Sequence, residues 1–357
     1  MNLEQDVTTT AGEHAGTEEP STRRTVAQRA LRTAGRPEPW RRGPILTVLA
    51  LLLGLVMVLH AEIPNAGWHL GSLVENLLPW LGLAVLPLLA AALWRRSAAA
   101  VVALFLPVTA WLTLFGGVLA DKSGPGGDLT VAEQNVDADN PDPDGTARRL
   151  AASGADLLAL VELTPQSAGA YEKGLVAAYP YHVVRGTVGL WSRLPLGDAQ
   201  PIDVMDYGPL ADTRPADGKA PENRALRTTV ATARGPLTVY VAHLGSVRVL
   251  PSSGFWTASR DIGVQALGRA VAADGSERTL LLGDLNGSLD DRAFAGLTAR
   301  MRSAQDTAGA GFGFSYPASF PVVRIDQILV RGVTATSSRV LPDTGSDHLP
   351  VAAGITW

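Results

Sequence analysis

The residues best suited to chemistry stand at the ends of apolar runs. TLLLG closes on Asp284, with Asn286 two positions on; DLLALV closes on Glu162, LTVAEQ on Asn135, TVYVA on His243 and RI on Asp326. Ser346–Asp347–His348 follows near the C-terminus. Carboxylate oxygens suit hard divalent cations such as Mg²⁺ or Mn²⁺. Asn amides and imidazoles can hydrogen-bond phosphoryl oxygens. Together such groups could activate water and stabilise the charge of a phosphoryl transition state. Taken singly, each has an ordinary explanation: an Asn after a strand is commonly a turn residue, a Glu at a strand end is solvated, and an internal His is a hydrogen-bonded core group. The order and spacing of the whole set carry the reading. The chain has no Cys, which excludes a thiolate nucleophile, a disulfide scaffold and Cys-ligated zinc or iron–sulfur sites.

For these groups to meet, strands must deliver them to one crevice, as layered α/β folds do at strand ends. Residues 129–357 read as one α/β domain. LTVAEQNV (129–136) and DLLALVEL (156–163) are strands. Asp144 can cap a helix over 145–152, and Thr164 with Pro165 opens a helix to about 178. RTTVATARGPLTVYVAHL folds as a hairpin through Arg234–Gly235–Pro236. A helix over about 256–273 precedes the strand TLLLGDLN (279–286). Asp290 caps a further helix to about 301, and RIDQILVRG and the final DHLPVAAGITW close the domain as strands.

The 357 residues have 46% hydrophobic content, concentrated between about 44 and 120. Collagen-like, wholly disordered and coiled-coil classes do not fit this composition. Residues 1–43 read as a disordered cytoplasmic tail whose end is basic through Arg23, Arg24, Arg29, Arg32, Arg36, Arg41 and Arg42. Three apolar stretches follow, about 44–61, 73–94 and 97–120, each near the length that crosses a bilayer. Their prolines, Pro79, Pro87 and Pro107, are better tolerated in membrane helices than in soluble ones. A leading region of more than forty residues is too long for a signal peptide. Arg95 and Arg96 occupy the turn between the second and third stretches, whereas 62–72 contains no Lys or Arg. By the positive-inside rule the N-terminus and the second turn are cytoplasmic. Three crossings then place everything beyond a Gly/Pro linker (121–128) outside the cytoplasm, in a multi-pass protein of the plasma membrane.

The motifs Gln134–Asn135–Val136, Leu160–Val161–Glu162–Leu163, Ala242–His243–Leu244, Gly283–Asp284–Leu285–Asn286, Arg324–Ile325–Asp326 and Ser346–Asp347–His348–Leu349–Pro350–Val351 resemble those of the endonuclease/exonuclease/phosphatase superfamily. The resemblance covers nearly all of 129–357. It implies a four-layered α/β sandwich, two facing mixed sheets with outer helices, here preceded by three transmembrane helices. It further implies that Glu162 is the main metal ligand, with Asn135 and Asp347 beside the metal. Asp284 would position or deprotonate the attacking water, and Asn286 would hold the scissile phosphate. His348, oriented by Asp326, would be the terminal imidazole and His243 the second phosphate-contacting one. Arg224 matches a phosphate-binding arginine, with Arg227 as its competitor. Val161 and Ala242 depart from the Gln and Thr common at those supporting positions.

Beyond Lys122 the chain carries 20 Lys+Arg against 25 Asp+Glu, a net charge of −5. No basic footprint for nucleic acid is visible. A membrane anchor would instead raise the local concentration of a lipid-borne substrate. The layout resembles membrane-anchored actinobacterial members of the VanJ-type teicoplanin-resistance group, which implies a phosphatase acting on a polyprenyl pyrophosphate or phospholipid of the cell envelope. The alternative is an extracytoplasmic metal-dependent nuclease.

Overall fold

The computed structural model describes residues 39–205 and 223–357. Most of the tail expected over 1–43 lies outside the described residues.

The apolar region forms five helical segments: α1 (Pro44–Val58), α2 (Leu70–Leu81), α3 (Val85–Trp94), α4 (Ala98–Ala103) and α5 (Phe105–Phe115). A 3₁₀ turn over Gly82–Ala84 joins α2 to α3, so that Leu70–Trp94 is one rod of 25 residues, and Ala98–Leu119 is a second of 22. Both are long and apolar enough to cross a membrane. The first stretch, expected to match them, is shorter. At 15 residues, α1 extends about 22 Å against a hydrocarbon core of roughly 30 Å. Gly54 lets α1 approach its neighbour closely, because a Cβ there would come within 2.5 Å of Leu106. Trp111 Nε1 donates to Pro79 O at 2.9 Å, tying the two rods together. At one end of the bundle Ser97 Oγ donates to Arg42 O. At the other, Arg292 donates to His60 O at 2.8 Å and Ile63 O at 2.9 Å.

The rest of the chain builds two facing sheets. Its strands are β1 (Leu129–Asn135), β2 (Leu157–Val161), β3 (Tyr181–Arg185), β4 (Val188–Ser192), β5 (Gln200–Pro201), β6 (Ala225–Thr232), β7 (Gly235–Ala242), β8 (Arg248–Leu250), β9 (Gly254–Trp256), β10 (Thr279–Asp284), β11 (Arg302–Ser303), β12 (Asp326–Arg331), β13 (Thr334–Val340) and β14 (Val351–Thr356). One six-stranded sheet runs β13-β14-β1-β2-β4-β3 and the other β11-β12-β10-β7-β6-β5. Each is mixed: β1 and β2 are parallel, as are β7 and β10, and the remaining pairs are antiparallel.

Strand alternation sorts the side chains. Val131, Val161, Val239, Leu280, Leu282 and Ile328 meet in the inter-sheet core. Leu281 and Tyr240 face outward onto α8 (Ala258–Ala273), through Val264, Leu267 and Val271. Leu158, Leu160 and Trp191 face outward onto α6 (Pro143–Ala151) and α7 (Ala168–Leu175), through Leu150, Tyr171 and Leu175. The result is an α/β/β/α sandwich. Asp142 caps α6 by accepting from Gly145 N at 2.9 Å, two residues before the Asp144 expected in that role. The helix expected from Asp290 to 301 breaks into a 3₁₀ turn (Arg292–Phe294) and a short α9 (Ala295–Thr298); α10 (Ala304–Ala308) follows.

The same parity positions the site. Asn135 continues the inward series of Leu129 and Val131, His243 that of Val239 and Val241, and Asp284 that of Leu280 and Leu282. Asp326 pairs in register with Asp284. All four therefore project into the inter-sheet space at one end of the sandwich. Glu162 follows the inward-facing Val161 and would point outward by alternation. A left-handed backbone at φ 64° interrupts the pattern, and Glu162 lines the inner cavity. Gly283 is required by close approach: a Cβ there would lie 1.9 Å from Ala242 O.

Helix α2 also packs on the sandwich through polar side chains. Asn76 donates to Asp291 Oδ2 at 3.0 Å and accepts from Ser288 N at 2.9 Å. Glu75 accepts from Arg292 N and Nε, each at 3.0 Å. Fully buried Arg260 meets Asp291 at 2.7 Å, closing the network. The loop so gripped begins two residues after Asn286.

Candidate active site

Asp284 and Asp326 are both about 1% exposed. Each carboxylate is held by donors. Asp284 accepts from Asn286 N at 2.8 Å and Asn135 Nδ2 at 3.1 Å. Asp326 accepts from Ser315 Oγ at 2.5 Å and lies 2.9 Å from His348 Nδ1. That bond leaves His348 Nε2 aimed toward Asp284 Oδ2 at 3.9 Å and Asp347 Oδ1 at 4.0 Å. The Tyr316 ring packs on the His348 ring with centroids 4.6 Å apart.

Across the site, His243 Nε2 lies 3.3 Å from Glu162 Oε1 and 3.7 Å from Asp284 Oδ2. Arg224 Nη2 lies against both ring nitrogens of His243, 2.5 Å from Nδ1 and 2.6 Å from Nε2. Burial and then the Arg224 and His348 charges hold the His243 imidazole well below the usual histidine range.

His348 behaves oppositely. Burial works against its charge, but the Asp326 carboxylate, its hydrogen bond and the more distant Asp284 and Asp347 raise it to about 9. Burial and the neighbouring Asp326 push Asp284 up to about 7, against the pull of His348, Asn286 and Asn135. Near neutrality the site thus pairs an imidazolium with a carboxylate poised to gain or lose a proton. The two imidazoles are thus pushed in opposite directions.

The sequence-nominated residues converge on a cavity of about 420 Å³ lined by Glu162, Asp284, Asn286, Asp347 and His348. Asn135, His243 and Asp326 stand behind this lining, Asn135 bonded to Asp284, Asp326 to His348 and His243 beside Glu162 and Asp284, with Arg224 against His243. Arg227 is elsewhere: it faces outward from β6, held by Asp274 Oδ2 at 2.7 Å and Ser276. Asn286 is more constrained than its expected phosphate role suggests. Its amide nitrogen already donates to Leu244 O at 3.0 Å and faces Asp284 Oδ2 at 3.3 Å.

Two groupings could hold a cation. Asp284, Asp326 and His348 each offer one ligand atom within 4.8 Å of the others. There, however, His348 Nδ1 is bonded to Asp326, which also accepts from Ser315 Oγ. Glu162 and Asp347 are the more exposed carboxylates, with side chains 27% and 51% accessible, and both face the cavity. Such carboxylates supply the oxygen ligands that a hard divalent ion prefers.

Sequence reasoning passed over three residues here. Ser315 and Tyr316 carry no motif. Glu133 did carry a signal, since alternation along LTVAEQN puts it on the inner face with Val131. It is fully buried, with no hydrogen-bond partner among the described residues. Burial and the Asp326 and Asp284 charges hold its carboxyl far above the usual range.

A model of the Endonuclease/Exonuclease/phosphatase family matches residues 132–348. Solved structures share the fold. A functionally unknown conserved protein from Enterococcus faecalis is 15% identical, with a TM-score of 0.51 over 64% of this chain and 99% of its own. A humanized TDP2 of D. rerio is 19% identical, with a TM-score of 0.50 over 64% and 98%. An endonuclease/exonuclease/phosphatase from Bacteroides vulgatus is 16% identical, with a TM-score of 0.50 over the same shares. Among curated protein sequences none matches the chain. The family match spans more than half of the chain and takes in every strand end that bears a candidate group, so the chain belongs to the Endonuclease/Exonuclease/phosphatase family and is a divalent-metal-dependent hydrolase of phosphoric ester bonds.

Proposed function

We propose that the chain is a membrane-tethered phosphoesterase, with 44–120 as anchor, 121–128 as linker and 129–357 as catalytic domain. It cleaves a phosphate ester or anhydride on a lipid-borne substrate outside the cytoplasm. The observation that carries this reading is the two-sided catalytic cavity. Polar groups from the sandwich form one wall, and Leu73 and Leu77 of α2, with Val249 and Phe255, form an apolar one. A phosphate with an apolar body fits such a cavity better than a polyanion does, and the net charge of −5 beyond Lys122 also disfavours nucleic acid.

The bundle supports the tether. Leu70–Trp94 begins against the catalytic domain and ends at Arg95 and Arg96, while Arg42 sits beside Ser97 at that same far end. Arginines on one side and the catalytic domain on the other fit a cytoplasmic turn and an extracytoplasmic active site. On this reading α1 traverses the membrane as a third, short crossing. Polyprenyl pyrophosphate as substrate and a role in glycopeptide resistance rest on the resemblance to the VanJ-type group.

A Mg²⁺ or Mn²⁺ ion held by Glu162, Asp347 and the Asn135 amide oxygen would supply Lewis-acid polarisation of the phosphoryl group. Ionised Asp284 accepts the proton of the attacking water. His348, held through Nδ1 by Asp326, donates from Nε2 to the nonbridging or leaving oxygen. Arg224, braced by neutral His243, faces the phosphate charge. Asn286 contacts the phosphate once its amide turns from Leu244 O.

The test uses the full chain in nanodiscs with Mg²⁺, offered a polyprenyl pyrophosphate and supercoiled plasmid. Phosphate release with intact plasmid is expected. Plasmid cutting without lipid turnover would favour the nuclease and sink the lipid reading.

A further inference from the structure

A second cavity, of about 360 Å³, lies between the rods Leu70–Trp94 and Ala98–Leu119 under the edge of the catalytic domain. Its lining is apolar, including Leu83, Leu86, Trp111 and Leu112 from the rods and Phe312 and Phe314 from the segment before β12. An aromatic row crosses it. Trp80 stacks on Phe314 at 5.5 Å, Phe314 on Phe312 at 4.9 Å, and Phe312 meets Trp111 edge-on at 6.3 Å.

Three features join this groove to the catalytic cavity. Leu73, Asn76, Leu77, Trp80 and Leu83 follow helical spacing and form one stripe. Its first three members line the catalytic cavity and its last two line the groove. From Leu77 to Leu83 the rod advances only about 9 Å. Trp80 Nε1 donates to Val322 O at 2.7 Å, and Val322 lines the catalytic cavity. Phe314 is followed directly by Ser315, which donates to Asp326, and by Tyr316, which packs on His348.

We infer that this groove seats the aliphatic chain of a lipid phosphate whose head occupies the catalytic cavity. The inference rests on the lipid-substrate reading above and adds the site that recognises the tail. The groove opens between rods apolar enough to lie in a bilayer. Its exposed Leu83 and Leu86 would be a liability in water and are covered when an acyl or prenyl chain lies across them.

The test is photolabelling of the full chain carrying Asp284→Asn, with Mg²⁺, in phosphatidylcholine nanodiscs. The probes are a phosphatidic acid and a diacylglycerol with identical diazirine-bearing chains. Phosphatidic acid is expected to label 80–86 and 312–314 about five-fold more than diacylglycerol does, because only it has a head for the site. Leu112→Trp, which fills the groove, should remove that excess. Equal labelling by both probes, or an excess that survives Leu112→Trp, would show ordinary bilayer contact and overturn the inference. Turnover is read separately with the wild-type chain. If bis-p-nitrophenyl phosphate is hydrolysed but long-chain phosphatidic acid and polyprenyl pyrophosphate are not, the lipid-substrate reading falls, while the labelling contrast still decides what the groove binds.

Discussion

Asp284→Asn lowers kcat by about 10³-fold, the scale expected when a general base is lost from a site that otherwise keeps its charge-stabilising groups. Asn is nearly isosteric and its Oδ1 can still accept from Asn286 N or Asn135 Nδ2, but it cannot take a proton from water. Loss of fold does not explain the drop, because stability moves the other way. The Asp284 carboxyl is raised to about 7 by burial and by Asp326, so the native state disfavours its ionised form. A raised acid costs stability as pH climbs from its unfolded value through its folded one. The neutral variant escapes that cost, and its Tm at about pH 8 should equal or exceed that of the parent. Parallel kinetics and thermal unfolding of the two proteins check both statements. A variant with lower Tm and proportionally lower activity would mean that Asp284 is structural.

Asp326→Asn moves the entire pH profile toward acid. The parent needs His348 protonated and Asp284 ionised. Its alkaline limb falls near 9, and its acid limb falls no higher than about 7, since a bound cation further favours the carboxylate. Asp326 is the leading cause that raises His348, against the effect of burial, and after burial the leading cause that raises Asp284. Without its charge, burial at His348 is opposed only by the more distant Asp284 and Asp347, and the imidazolium is lost at lower pH. Asp284 simultaneously loses the neighbour that resists its ionisation. At about pH 8.5 the rate should fall ~100-fold relative to the parent, with a much smaller deficit near pH 6. A uniform loss with unmoved limbs would assign Asp326 to scaffolding alone.

The strand ends were legible because each ladder of apolar residues closes on a polar one, and two-residue periodicity says which face that polar residue takes. Asn135, His243, Asp284 and Asp326 all follow this rule. Glu162 does not, and only its left-handed backbone brings it inward, a feature the string LLALVELT hides. Strand β13 was missed because TATSSRV sits at a sheet edge, where small polar residues suffice and no apolar alternation is needed. The β8–β9 hairpin, with strands of three residues each, is too short to carry a periodic signal. Arg224 could not be separated from Arg227 by sequence, since strand parity is assigned only once the register Arg227↔Tyr240 is known. The docking of α2 left one trace: Glu75 and Asn76 interrupt an otherwise apolar run, and both prove to be buried partners of the catalytic domain. Phe312 and Phe314 left none, because their significance lies in a helix pair more than two hundred residues away.

The central claim is that Glu162 and its neighbours make one cation-dependent phosphoesterase site, whatever the substrate's body. It is tested most directly by titrating Mg²⁺ into the full chain hydrolysing bis-p-nitrophenyl phosphate, beside Glu162→Gln. Saturable hydrolysis that chelation abolishes is expected, with the variant requiring at least about 100-fold more Mg²⁺, beyond the usual loss when only a supporting partner is removed. Hydrolysis that survives chelation, or a variant that responds to Mg²⁺ as the parent does, would contradict it.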